Sequence, residues 1–148
     1  MLLRTVFSPL GPLTLCEEAG RLSALLFSDE RGQAASPLLC SCERQLSEYF
    51  KGERKSFDLP FLLEGSAFET AVFSALCTVP YGETISYGQL ACLAGFPRAA
   101  RAVGNALHRN PLPILVPCHR VVGRNNLGNF AWGMEKKLFL MCLEGVEV

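Results

Sequence analysis

Short apolar runs broken by turn residues open the chain. Ser8-Pro9, Gly11-Pro12 and Ala19-Gly20 interrupt the stretch LLRTVFSPLGPLTLCEEAGRLSALLFSD. This punctuation predicts strands near residues 2–6, 12–17 and 21–27 joined by hairpin turns. The period then lengthens. Leu38, Leu39, Cys42, Leu46 and Tyr49-Phe50 recur at helical spacing until Gly52 ends the run. KSFDLPFLLEG returns to an extended pattern, so the first sixty or so residues read as a small α/β lobe.

From Ser66 the pattern is mainly helical. Ser66 with Glu69 three residues later forms a capping box, and Phe68, Val72, Phe73, Leu76 and Cys77 fall on one face before Pro80-Tyr81-Gly82. A short helix from about Tyr87 to Ala94 follows, then a turn from Gly95 through Pro97, then a second helix from about Arg98 to His108. Two short helices around a glycine-containing turn are a helix-turn-helix signature. Pro111 and Pro113 predict that Leu112–Val116 is extended and buried. GMEKKLFLMCLEG closes the chain as a last helix. The expected fold is α+β: a lobe of short antiparallel sheet plus helix over residues 1–62, then a mainly helical domain over 63–148.

Composition narrows the class. Nearly half of the 148 residues are hydrophobic, enough for a real core, yet no apolar run approaches the ~20 residues that span a bilayer. The start lacks a convincing cleavage site, so a cytoplasmic protein is expected, or a nuclear one if the source is eukaryotic. Seven cysteines, at 16, 40, 42, 77, 92, 118 and 142, are an odd number for a disulfide framework and read as free thiols. Cys40 and Cys42 form a C-x-C without a second pair, and His108 and His119 are the only imidazoles, so no metal is expected. Net charge is zero but unevenly spread. Residues 1–80 hold 7 basic and 10 acidic side chains, and 81–148 hold 7 and 4, so a polyanion would meet the second half.

The chemistry concentrates in ILVPCHRVVG, where Cys118, His119 and Arg120 interrupt an apolar run. A buried cysteine is commonly an inert small hydrophobe. His119 and Arg120, however, need partners if buried, and a thiol turns nucleophile only as its thiolate, which a nearby cation or imidazole favours. Glu144, at the end of the last apolar helical face, is the candidate carboxylate to orient the imidazole. Arg120 has two open roles, lowering the thiol pKa or tying the loop to a backbone carbonyl. Arg101 stands among Ala99, Ala100, Ala102 and Gly104, which suits either close helix packing or close approach to a partner.

PCHRV, preceded by RNPLPILV and by SYGQLACLAGFPRAARAVGNAL, resembles the O6-alkylguanine-DNA alkyltransferases. The resemblance is specific over about residues 66–145, and the first lobe fits in size and type. It implies that Cys118 accepts the alkyl group irreversibly, with His119 acting as base through a water and Glu144 holding its ring. Asn110 would orient the active-site turn, and Tyr87 would donate to the leaving base. Arg101 would fill the gap left by a flipped-out nucleotide, with Arg98 and the small residues 99, 100, 102 and 104 against the minor groove of double-stranded DNA. Tyr87, Val121, Phe130, Ala131 and Trp132 would shape the substrate pocket. The resemblance implies a monomer that needs no cofactor.

One departure bears on substrate. Family members commonly carry Tyr, Ser and Gly where this chain has Phe130, Ala131 and Trp132. Trp132 is therefore expected to narrow the pocket in favour of methyl over benzyl adducts, unless it packs outward. Three other readings compete: a lesion-binding relative that does not repair, a DNA-binding regulator built on residues 83–109, and a cysteine hydrolase. The first replaces the acceptor cysteine, which this chain retains.

Overall fold

Ser8 and Gly11 reverse the chain between its first two strands, the Ser8 hydroxyl donating to Gly11 O at 2.8 Å. The computed structural model describes all 148 residues and divides them into two compact units, Met1–Leu63 and Glu64–Val148. In the first unit β1 (Leu2–Ser8), β2 (Gly11–Glu18) and β3 (Arg21–Leu26) form an antiparallel meander in that order. Leu13 and Leu15 of β2, with Leu22 and Leu25 of β3, are buried, as are Leu39, Cys42, Leu46 and Tyr49 of α1 (Pro37–Phe50). Each such leucine contributes about 1.5–3 kcal/mol by leaving water. Ser36 caps α1 by accepting from Leu39 N, and Pro37 occupies its first turn, where a missing N–H costs nothing.

Thr14 is also fully buried, although it points away from the leucine face. Its hydroxyl donates to Ser28 O and accepts from Glu30 N, so residues 28–34 lie as a strap along the sheet. The strap continues along β1, with Thr5 N donating to Gly32 O and Ala34 N to Leu3 O. The extended segment near residue 60 forms only a single bridge, Leu22 with Phe61. Buried Gln45 anchors that segment by exchanging hydrogen bonds with the Asp58 backbone.

In the second unit Ser66 and Glu69 close the capping box of α2 (Ala67–Leu76). Ile85 and Ser86 form β4, which pairs in parallel with β5 (Val121–Val122). The pairing brings Tyr87, the first residue of α3 (Tyr87–Leu93), beside the segment that follows Cys118. Packed against α3 is α4 (Ala100–Leu107), completing the helix-turn-helix, and α5 (Met134–Leu143) closes the unit. Phe68 and Phe96 meet edge to face at 4.9 Å, joining the start of α2 to the turn. No helix is long and apolar enough to cross a membrane.

Two expectations fail locally. The second helix begins at Ala100, not Arg98; Ala99 occupies the cap at φ −106°, ψ 29° and offers no side-chain acceptor to start a turn earlier. Leu112–Val116 is buried but not extended. Val116 N donates to Leu112 O at 2.8 Å, closing a five-residue turn with Ile114 at φ +73°. Prolines remove N–H donors at 111 and 113 and restrict the residues before them, which leaves 114–116 free to turn. A β-branched residue in the left-handed region is rare and is held there by the packing around it.

Candidate active site

The five-residue turn delivers Cys118 as the first residue of a 3-10 turn, Cys118–Arg120. Cys118 N donates back to Val116 O at 2.8 Å, and the same carbonyl accepts from Asn110 Nδ2 at 3.0 Å. Asn110 Oδ1 in turn accepts from Leu112 N. One buried amide thus ties both ends of the turn, which holds the thiol in place.

Behind the thiol lies an enclosed charge cluster. His119, Arg120 and Glu144 are all buried. The Glu144 carboxylate accepts from Arg120 Nε at 2.8 Å, from Arg120 Nη2 at 3.1 Å and from Gly82 N at 3.3 Å. His119 Nε2 lies 2.7 Å from Oε2, the oxygen that also accepts from Arg120 Nη2. With the carboxylate ionised beside Arg120, Nε2 carries the proton and donates, so the lone pair sits on Nδ1. That buried Nδ1 has no partner in the protein. Burial pushes the His119 pKa down, against the pull of Glu144, and so keeps the imidazole neutral. The result is an oriented base with a free acceptor nitrogen.

Arg120 acquires a definite role. Its Nη1 donates to Val79 O at 2.7 Å and its guanidinium lies 5.9 Å from the centre of the Tyr81 ring. It is consumed in holding Glu144 and the chain end of α2. The cation that favours the Cys118 thiolate is Lys137, a residue the sequence reading missed. Burial raises the thiol pKa to about 11, opposed by hydrogen bonding with Asn110 and by the Lys137 charge. Lys137 is completely buried and donates to Val121 O at 2.6 Å and Asn129 O at 3.0 Å. Burial lowers its own pKa to about 8. Its place on one helical face with Leu140, Met141 and Glu144 is the pattern that could have exposed it.

Cys118 opens on a pocket of ≈ 390 Å³ lined by Tyr87, Ala100, Arg101, Gly104, Phe130, Ala131 and Trp132, with Asn105, Leu107, His108 and Asn129. The Tyr87 hydroxyl accepts from Asn129 N at 2.9 Å, which leaves its own proton to donate elsewhere. Gly128 is needed for that approach, since a Cβ there would meet Tyr87 Oη at 2.6 Å. Trp132 turns into the pocket and packs edge to face on Phe130 at 5.0 Å. Of the other expected site residues, Arg98, Ala99 and Ala102 do not line this pocket, and Val121 is buried in β5 and contributes its carbonyl instead. Asn110 and His119 stand behind the thiol. No carboxylate occurs between residues 84 and 134, while Arg98, Arg101, Arg109, Arg120 and Arg124 do. Of these, Arg101 lines the pocket, whereas Arg120 is paired with Glu144 and Arg109 with Glu69.

Fold and site together define a class, proteins that hold an activatable thiol at the floor of a pocket walled by a helix-turn-helix. Residues 67–146 match the family described as "6-O-methylguanine DNA methyltransferase, DNA binding domain", and residues 1–63 match its "ribonuclease-like domain". Two curated relatives carry the name methylated-DNA–protein-cysteine methyltransferase. The constitutive protein of Bacillus subtilis is 42% identical, over 96% of this chain and 94% of that protein. That of Methanosarcina acetivorans is also 42% identical, over 93% and 94%. Among solved structures, Mycobacterium tuberculosis OGT in complex with DNA superposes with a TM-score of 0.90 at 40% identity, covering 98% of this chain and 93% of that one. The chain belongs to the 6-O-methylguanine DNA methyltransferase family.

Proposed function

We propose that this protein repairs DNA by moving the alkyl group from O6 of an alkylated guanine onto Cys118, once per molecule. The observation that carries the reading is the thiol at the floor of the pocket with an oriented, neutral imidazole next to it in sequence. His119 Nδ1 takes the thiol proton through a bridging water, and the thiolate displaces guanine from the alkyl carbon. The C–O6 bond breaks, an S–C bond forms, and guanine leaves as it gains the proton that the thiol gave up. Tyr87 donates its hydroxyl to the departing base, where negative charge develops. The thioether is stable and no second nucleophile regenerates the thiol, so the protein is spent.

A carbon inside a stacked duplex is out of reach of a buried thiol, so the nucleotide must be extruded. Arg101 is exposed, on the pocket rim, and flanked by small residues, which suits it to occupy the vacated stack. The flat Ala/Gly surface of α4 fits the minor groove, where readout is largely limited to A·T against G·C. A monomer suffices, since one chain supplies every group named.

The test is mass spectrometry after incubation with duplex DNA carrying O6-methylguanine. The expected result is one added methylene unit on Cys118, one equivalent of transfer, and none in Cys118→Ala. Repeated turnover, or DNA binding with the wild-type protein left unmodified, overturns the proposal.

A further inference from the structure

Along the exposed edge of α4 the side chains Arg101, Asn105 and His108 follow one another at helical spacing beside the pocket. Between them the surface is Ala102 and Gly104. Asn105 is exposed, and its side chain makes no hydrogen bond within the protein. It stands four residues beyond Arg101, about 6 Å along the helix axis. Stacked base pairs are about 3.4 Å apart, so a side chain there reaches one or two steps from the extruded nucleotide.

What Asn105 offers is chemically distinct from its neighbours. Arg101 can only donate, and no carboxylate lies anywhere from residue 84 to 134. The amide oxygen of Asn105 is thus a side-chain acceptor set between Arg101 and His108 on a face that otherwise carries only Ala102 and Gly104. The minor groove presents one donor, the 2-amino group of guanine; its other edge groups are acceptors. We infer that Asn105 Oδ1 accepts from the 2-amino group of a guanine adjacent to the lesion, making this chain repair lesions flanked by a G·C pair faster than others. The inference rests on the proposed approach of α4 through the minor groove and adds a sequence preference to it.

The experiment measures single-turnover transfer to Cys118 from duplexes carrying one O6-methylguanine, with guanine or inosine in each pair up to three steps from it. Inosine removes the 2-amino group and leaves the pairing edge otherwise intact. Wild type should react about fivefold faster with guanine at one of these positions, the worth of a single hydrogen bond. That ratio should fall to about one in Asn105→Ala and in Asn105→Leu, the second keeping the side chain's bulk. A ratio near one in wild type at every position, or a ratio retained in both variants, overturns the inference. So does an Asn105 effect that follows the 2-amino group of the lesion itself, tested with O6-methylhypoxanthine. Absence of transfer from every duplex would instead overturn the proposed function.

Discussion

Gly128→Ala separates the pocket's geometry from its backbone energetics. Gly128 has φ +71°, and a Cβ built there would lie 2.6, 2.9 and 3.1 Å from Oη, Cε2 and Cζ of Tyr87. Unbonded heavy atoms settle near 3.5 Å, so the ring or the loop must retreat by roughly 0.9 Å. The loop cannot retreat freely, because the next residue donates its N–H to the same hydroxyl. If Tyr87 acts on the leaving base as proposed, a displacement of about 1 Å there costs on the order of 10²-fold in rate. The left-handed backbone adds about 1–2 kcal/mol of instability for alanine. Gly52→Ala is the control: φ is +76°, but nothing lies within 4 Å of its Cβ. Both variants carry the same left-handed backbone cost, so Gly128→Ala should lose at least as much stability as Gly52→Ala in urea titrations. Only Gly128→Ala should lose methyl transfer, by about 30- to 100-fold in single-turnover assays at saturating DNA. If the defect acts through the hydroxyl, the double variant with Tyr87→Phe should be no slower than Tyr87→Phe alone. A Gly128→Ala rate within twofold of wild type refutes the role given to the Tyr87–loop contact.

Glu144→Ala leaves Arg120 and His119 buried without their acceptor, and should destabilise the second unit by about 3–5 kcal/mol in chemical denaturation; a loss under 1 kcal/mol would contradict the buried cluster. Because the folded His119 pKa is depressed, its contribution to stability is intact above about pH 6.5 and declines as pH falls towards the folded pKa. The urea midpoint should drop below that pH, less steeply in His119→Gln, and identical slopes would refute this. Lys137→Met should move the alkaline limb of the pH–rate profile upward, with the two profiles converging above about pH 8 as wild-type Lys137 loses its proton; a uniform offset at all pH would assign Lys137 a structural role only. Trp132→Gly should raise transfer from O6-benzylguanine relative to O6-methylguanine, whereas equal wild-type rates for the two adducts would exclude a narrowed pocket.

Local signals were legible where local chemistry decides. The three strands follow the Pro/Gly punctuation, and Ser66 with Glu69 marks the start of α2. Ser86 with Gln89 carries the same box at the start of α3, and it puts Tyr87 in the first turn. The failures share a cause. Leu112–Val116 reads as extended from its prolines, but an i to i+4 hydrogen bond spanning Pro113 and the packing of Ile114 decide its path. Arg120 had two open roles because both partners, Val79 O and Glu144, are distant in sequence. Lys137 went unseen because a lysine in an amphipathic helix ordinarily faces water, and only the tertiary fold shows two carbonyls waiting for it.

A thiol pKa near 11 looks unsuited to a nucleophile, yet the magnitudes favour it. At pH 7.5 roughly one thiol in three thousand would ionise unaided, compared with half for a thiol of pKa 7.5. Intrinsic nucleophilicity rises with pKa with a slope of about 0.4–0.5, which recovers some 30-fold of that deficit. The remaining penalty of about 10²-fold lies within what a positioned general base contributes, the role proposed for the unpartnered His119 Nδ1. The protonated resting state also matters for an acceptor that reacts once. Cys118 is 4% exposed, so an electrophile in solution meets a buried, neutral thiol, while on the proposed mechanism a base seated against Tyr87 brings its alkyl carbon to the sulfur, both residues lining the same pocket. Depressing the pKa would raise the free thiolate and gain little on the seated base. On the proposed mechanism the cluster of Asn110, Lys137 and the His119–Glu144 pair ionises the thiol during transfer, and burial keeps it protonated at rest.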